Sequence, residues 1–438
     1  MQYLPNILFA LALIFGIGFF VMNIRKLSRN IKLGKDVNRT DKKPERLKNM
    51  IMIALGQSKM VKRPFSGLLH VIVYVGFVII NIEVLEIIID GLAGTHRIFQ
   101  GIINERVYAF LIGTFEVFAA LVFIAVILFW TRRNVANIKR FMSSEMKGWP
   151  KNDANYIIYF EMILMTLFLV MNATDIDFQK AGIGNPISQF IAPLFNSFSP
   201  DTLHIIERTA WWIHILGILT FLNYLFYSKH LHILLAFPNT YFANLNPKGQ
   251  FNNLESVTNE VKLMMDPDAD PYAMPAEGAE EVVPEKFGAS DVADLNWVQL
   301  LNAYTCTECG RCTSACPANL TGKKLSPRKI MMDTRDRLEE VGRNIDANKG
   351  TFVDDGKQLL NDYISPEELW ACTSCNACVE ECPVNIDPLS IIIDMRRYLV
   401  MEESAAPQEL NMMMNNIENN GAPWPYNQQD RLNWAQEE

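Results

Sequence analysis

Cys306-Thr307-Glu308-Cys309-Gly310-Arg311-Cys312-Thr313-Ser314-Ala315-Cys316-Pro317 is one of two runs built alike. The other is Cys372-Thr373-Ser374-Cys375-Asn376-Ala377-Cys378-Val379-Glu380-Glu381-Cys382-Pro383. Three thiolates at a spacing of three can wrap three irons of a cubane, because a tight loop points each sulfur inward. The fourth cysteine is carried away by the turn and reaches the other cluster. The spacing therefore predicts two [4Fe–4S] clusters with exchanged ligands. Cys306, Cys309, Cys312 and Cys382 hold one, and Cys372, Cys375, Cys378 and Cys316 hold the other. Structural zinc draws its ligands from two separated pairs, and four disulfides need an oxidising compartment; both fit the pattern poorly.

Working outward, all eight cysteines of the 438-residue chain fall within these runs. Between them, Leu325–Leu338, Gly356–Tyr363 and Pro366–Trp370 read as helices, which predicts an all-helical ferredoxin domain over residues 295–404. Residues 237–294 read as an acidic linker, with Asp266–Asp294 rich in acids, Pro, Ala and Gly. Residues 405–438 form a tail assigned to partner contact. Residues 1–236 hold five apolar stretches long enough, or nearly so, to cross a bilayer: Leu4–Ile24, Phe65–Asp90, Val107–Trp130, Tyr156–Asn172 and Ala210–Ser228. Basic residues follow the first stretch instead of preceding it, so it reads as a retained helix and not a signal peptide. The fold class is all-α: a five-helix transmembrane bundle followed by an α-helical two-[4Fe–4S] ferredoxin domain.

Charge sets the expected orientation. Residues 25–63 hold thirteen Lys and Arg against three acids, and the loop after the third stretch is also basic. The positive-inside rule then places the N-terminus outside and the cysteines in the cytoplasm. The setting is a bacterial cytoplasmic (inner) membrane. Net charge is −8, and no basic patch with interleaved aromatics points to nucleic acid.

The six histidines are few enough to weigh singly. His214 and His232 are 18 residues apart. On one continuous helix that is five full turns, so both face one way about 27 Å apart, and His230 points roughly opposite, toward the headgroups. His70 lies at the depth of His232, and the pair can ligate one haem b with no open position. His214 can ligate a second haem, with His96 in the outer loop as its partner and His204 as the weaker choice. Glu83, Glu86 and Glu116 lie in the outer halves of the second and third stretches. They read either as a proton path to a quinone or as interfacial acids. Glu207 and Arg208 read as a surface ion pair.

These residues carry two resemblances. The stretch Arg63-Pro64-Phe65-Ser66-Gly67-Leu68-Leu69-His70, with Trp211-Trp212-Ile213-His214 and Tyr227-Ser228-Lys229-His230-Leu231-His232, resembles the cytochrome b (gamma) subunit of respiratory nitrate reductase. It also resembles the related membrane subunit of heterodisulfide reductase. The resemblance implies haem ligands at both ends of the fifth helix. That family usually has a second histidine ten residues after the first, where Ile80 stands here. The cysteine half, with Gly322-Lys323-Lys324-Leu325-Ser326-Pro327 and Asn419-Asn420-Gly421-Ala422-Pro423-Trp424, resembles the small iron–sulfur subunit of heterodisulfide reductases. It is similar, too, to membrane-bound reductases that oxidise electron-transfer flavoprotein. Larger members continue into a Cys-Cys-Gly domain, so a separate cytoplasmic Cys-Cys-Gly-domain protein is the expected partner, with electron-transfer flavoprotein a further one. The expected function is that of a quinone-linked oxidoreductase subunit. It passes electrons between quinone, in the first place menaquinone, and a cytoplasmic partner through one or two haem b and two clusters. The competing expectation is a non-catalytic redox-sensing or assembly anchor.

Overall fold

The computed structural model describes residues 3–267 and 286–436. Five helices are long and apolar enough to cross a membrane: α1 (Leu4–Ile31), α2 (Pro64–Ala93), α3 (Glu105–Asn134), α4 (Trp149–Thr174) and α5 (Pro200–Tyr224). Their starts follow local chemistry. Pro occupies the first turn of α1, α2, α4 and α5, where its missing N–H costs nothing. Asn104 caps α3 and Ser199 caps α5 through side-chain oxygens. The α2 helix stops at Gly94, which takes the left-handed conformation with φ +75°. Within the bundle α2 packs on α3, α3 on α4 and α4 on α5, while α1 lies against α5 and α2. Large apolar side chains such as Ile14, Phe15 and Phe110 point outward, as lipid in place of water allows.

Two differences from the sequence expectation matter. The α4 helix begins seven residues before Tyr156, because its first turn is polar and invisible to hydropathy. In that turn Asp153 accepts from the Tyr224 hydroxyl at 2.6 Å and from the Lys229 N–H at 3.1 Å. The second difference is what Asp153 holds. The α5 helix does not run on to His232. It tightens into a 3₁₀ turn over Leu225–Tyr227, and Ser228 is extended at φ −121°, ψ 147°. Ser228 then accepts from the His230 N–H, and a short turn leads into α6 (His232–Tyr241).

The C-terminal half is built from α7 (Trp297–Thr305), α8 (Arg311–Ala315), α9 (Pro327–Ala347), α10 (Ala377–Glu381) and α11 (Pro388–Met401), with no strand among the described residues. The α7 helix opens with a capping box of Asn296 and Gln299. The helix expected over Gly356–Tyr363 shrinks to Leu359–Asp362, with Asn361 at φ 73°. Its apolar signal came from Leu359 and Leu360, which are core residues in an irregular turn. Most of the acidic stretch Asp266–Asp294 lies outside the described residues, but Ala289 and Val292 are fully packed. One core spans both halves: Leu27, Ile157, Phe221, Leu225 and Leu231 join Leu300, Tyr304, Ile330, Leu338 and Ile391. The tail carries an exposed helix, Gln408–Asn420.

Candidate functional site

The two cysteine runs fold alike. In the first, Glu308 and Gly310 have φ of +54° and +70°; in the second, the equivalent Ser374 and Asn376 have +56° and +59°. Two left-handed residues thus flank Cys309 and Cys375 and turn the loop around each sulfur. A one-turn helix follows in both, α8 and α10, and then Cys-Pro. Gly310 is needed for space as well as for conformation, since a Cβ there would meet the Arg328 guanidinium at 2.5 Å.

The two helices α8 and α10 pack together and bring the runs into register. Cys306, Cys309, Cys312, Cys378 and Cys382 line a single pocket with Gly310 and Arg311. All eight cysteines are free thiols. Burial pushes Cys306 up to about 12 and Cys382 up to about 11. Cys312 is pushed well above the usual thiol range by burial and then by Cys309, Cys306, Cys382 and Cys378. In the second group burial raises Cys378 and Cys372, and Cys316 adds to both. Thiols placed like this ionise only against a positive centre, because metal binding must displace the proton. Backbone N–H groups already point at two sulfurs: Ile386 at Cys382 (3.2 Å) and Ser374 at Cys372 (3.4 Å). Among the described residues no three His, Cys, Asp or Glu side chains converge on a single-ion site. A cubane makes no such demand, since each sulfur ligates its own iron.

The histidines divide into two groups. His70 and His232 face each other with ring centres 6.4 Å apart. His232 Nδ1 lies 3.1 Å from the Lys229 carbonyl, an N–H donation that leaves Nε2 for a metal. His70 Nδ1 is buried without a hydrogen-bond partner. His230 is not aimed at headgroups. It packs edge-on against His232 at 5.3 Å and against Phe221, and lies 3.7 Å from Glu161. The continuous stripe through His214 and His232 does not exist, because the extended Ser228 resets the helical phase. Burial holds His230 and His232 below the ordinary imidazole range, in the neutral form a ligand needs.

Midway along α5, His214 is 1% exposed. Its Nδ1 faces the Leu164 carbonyl at 3.1 Å and its ring lies against Phe168. His96 is engaged elsewhere, 3.1 Å from the Asp175 carboxylate, and His204 is exposed. Neither ring contacts His214. Glu83, Glu86 and Glu116 are all 3% exposed or less. Glu207 and Arg208 pair, but Glu207 is buried, so this is not a plain surface ion pair.

The residues that sequence reasoning missed join the two halves. Lys229, three residues before His232, forms an ion pair with Glu308 in the first cysteine loop. Arg335 holds the other oxygen of Glu308 at 2.8 Å. Arg311 donates to the carbonyls of Lys59 and Met60, both at 3.2 Å, in the segment leading to α2. It also lies within electrostatic reach of His70. Lys62–Glu380 and Arg63–Glu381, each at 2.9 Å, tie the same segment to the second run. The only signal for these roles in the sequence is their nearness to His70, His232 and the cysteines.

Fold and site together define a membrane protein with a helical iron–sulfur domain docked on one end of its bundle. Residues 305–386 match the 4Fe-4S dicluster domain family. The chain is 30% identical to the probable iron-sulfur-binding oxidoreductase FadF of Bacillus subtilis, over 98% of this chain and 61% of that protein. It is 25% identical to the EtfAB:quinone oxidoreductase of Syntrophomonas wolfei, over 92% of this chain and 55% of that one. A probable membrane-anchored ferredoxin of Chromohalobacter salexigens is 35% identical over 34% of this chain and 24% of its own length. The chain therefore spans little more than half the length of the first two relatives. No solved structure matches it.

Proposed function

We propose that this chain carries electrons between membrane quinone, in the first place menaquinone, and a cytoplasmic redox protein. One observation carries the reading: the 6.4 Å between the ring centres of His70 and His232. Nitrogen-to-metal bonds of roughly 2 Å on both sides of one iron set two imidazole centres roughly 6 Å apart. The free Nε2 of His232 and the orphaned Nδ1 of His70 suit a pair held for such an ion. Haem b, when bound, supplies a one-electron couple that never opens a coordination site. His214, with Nε2 left free by the same kind of carbonyl contact, is the chain's ligand to a second, distal haem.

Cys306, Cys309, Cys312 and Cys382 hold the cluster nearer the histidine pair, since Glu308 and Arg311 of the first run reach Lys229 and His70. Cys372, Cys375, Cys378 and Cys316 hold the outer one. Cys375 is the exposed cysteine, so the partner docks on that side. The basic loops and the cysteine half face the cytoplasm of a bacterial inner membrane. The likeness to the EtfAB:quinone oxidoreductase of Syntrophomonas favours electron-transfer flavoprotein as a source of electrons. A Cys-Cys-Gly-domain protein is the alternative route.

The test is a redox difference spectrum of the full chain in mild detergent. A b-type α-band in the dithionite-reduced minus oxidised spectrum, also produced by menaquinol, is the expected result. Intact cluster signals with no haem band would overturn this reading in favour of a redox-sensing or assembly anchor.

A further inference from the structure

A buried polar network fills the end of the bundle away from the cysteines. Five carboxyls, Glu83, Glu86, Asp90, Glu116 and Asp175, share this region with one arginine, Arg97, and all six residues are 9% exposed or less. Arg97 donates to Asp175 and to the Asn172 side-chain oxygen, both at 2.9 Å, and its backbone N–H donates to Asp90 at 2.7 Å. Asn172 passes the contact on to Glu116 at 3.0 Å. Ile187 and Ser188 N–H groups hold the other oxygen of Glu116. Glu86 receives the Phe99 N–H at 2.8 Å and the Tyr108 hydroxyl at 3.4 Å. Four of the five acids are thus structurally satisfied.

Glu83 is not. It is 3% exposed, its Oε2 is buried, and no donor among the described residues addresses it. The charges of Arg97, Glu86 and Glu116 all reach it. It sits thirteen residues beyond His70 on α2, about 20 Å along the axis. An acid at such depth is costly, and a structural role would need donors. An apolar residue of similar shape would pack as well at no such cost.

We propose that Glu83 is the proton-exchanging residue of a quinone site, with Arg97 and Asp175 linking it to the distal face. This rests on the quinone-linked reading above. Oxidising a quinol to the quinone breaks two O–H bonds and releases two electrons and two protons. The electrons leave singly to the ferric haem proposed above, reducing Fe(III) to Fe(II). The Glu83 carboxylate takes up the protons in turn and gives each to the distal side; quinone reduction runs the same steps backward. Asp175, touched by the half-exposed His96, is where the network meets the surface.

The full chain in lipid nanodiscs, mixed with menadiol, tests this. Glu83→Gln should slow haem reduction by menadiol at least about a hundredfold, the low end of what a positioned acid–base contributes. Haem content and dithionite reduction should not change. A carboxyl C=O band in the redox-induced infrared difference spectrum of the natural chain should vanish in the same variant. A rate within about twofold and a persisting band would overturn the proposal while leaving quinone linkage intact. If menadiol fails to reduce the natural chain, the quinone-linked reading falls and this one with it. Should Glu83→Gln lose the bundle, Glu83→Asp is read in its place. A displaced band with a slowed rate supports the proposal, and an unchanged band with an unchanged rate overturns it.

Discussion

Lys229 touches both halves of the molecule through different atoms. Its carbonyl orients His232, its N–H is held by Asp153, and its ammonium meets Glu308 between Cys306 and Cys309. Both members of that ion pair are less than a tenth exposed, and each has a second partner, Arg335 for Glu308 and Asp153 for Lys229. The cysteines work at the same scale. Cys316 follows α8 but is felt by Cys372 and Cys378, not by its own run's pocket. Cys316→Ser should therefore damage the cluster bound mainly by the second run and spare the first. Electron paramagnetic resonance of the reduced variant checks it: loss confined to the first run's cluster would reject the exchanged pattern.

At the scale of elements, the loop between α3 and α4 fastens the cysteine half through Arg140 and Glu145, which meet Arg328 and Ser326. Arg328 at the start of α9 is fully buried and Glu145 is its ion-pair partner at 2.7 Å. Burial alone would push the Glu145 carboxyl up, but Arg328, a backbone N–H and the Ser326 hydroxyl together outweigh it and hold the group below its ordinary 4.5. A depressed folded-state value means stability that is complete above 4.5 and is lost as pH falls through the folded value. The thermal midpoint should stay level from about pH 5 upward and fall below about pH 4.5. Glu145→Gln should lower it at neutral pH, by up to about 3–5 kcal/mol of stability, and flatten the acid limb. An unchanged acid limb in that variant would count against the pair.

What the sequence makes legible follows from the range of each interaction. The cysteine runs are local chemistry, and their spacing alone brings the sulfurs to one loop. Apolar runs show the five long helices, because lipid length and composition constrain every residue in them. The break after α5 is hidden, because it rests on Ser228 alone and on Asp153, which lies some seventy residues earlier. That break voids the helical phase between His214 and His232, yet His232 still meets His70, since depth along the bundle survives a change of rotation. His96 meets Asp175 and not His214 in this structure. An outer-loop histidine has many available partners, and Asp175, already gathered by Arg97, is one of them.

Over the whole molecule, the bundle and the cysteine domain are not beads on a string. They share one core, and the ion pairs and carbonyl contacts at the seam place the inner histidine pair beside the first cysteine run. This arrangement suits a wire whose parts are held at fixed separation. The distal network around Glu83 lies at the other end, so proton and electron would leave a quinol in opposite directions.

The most direct measurement compares haem and iron–sulfur content in the natural chain and in His232→Ala, both purified anaerobically in mild detergent. The natural chain should hold haem b together with about eight irons and eight acid-labile sulfides. The variant should lose the absorbance of the haem at the His70–His232 pair and keep both cluster signals. Unchanged haem content in the variant, or a natural chain with no porphyrin, would contradict the electron route described here.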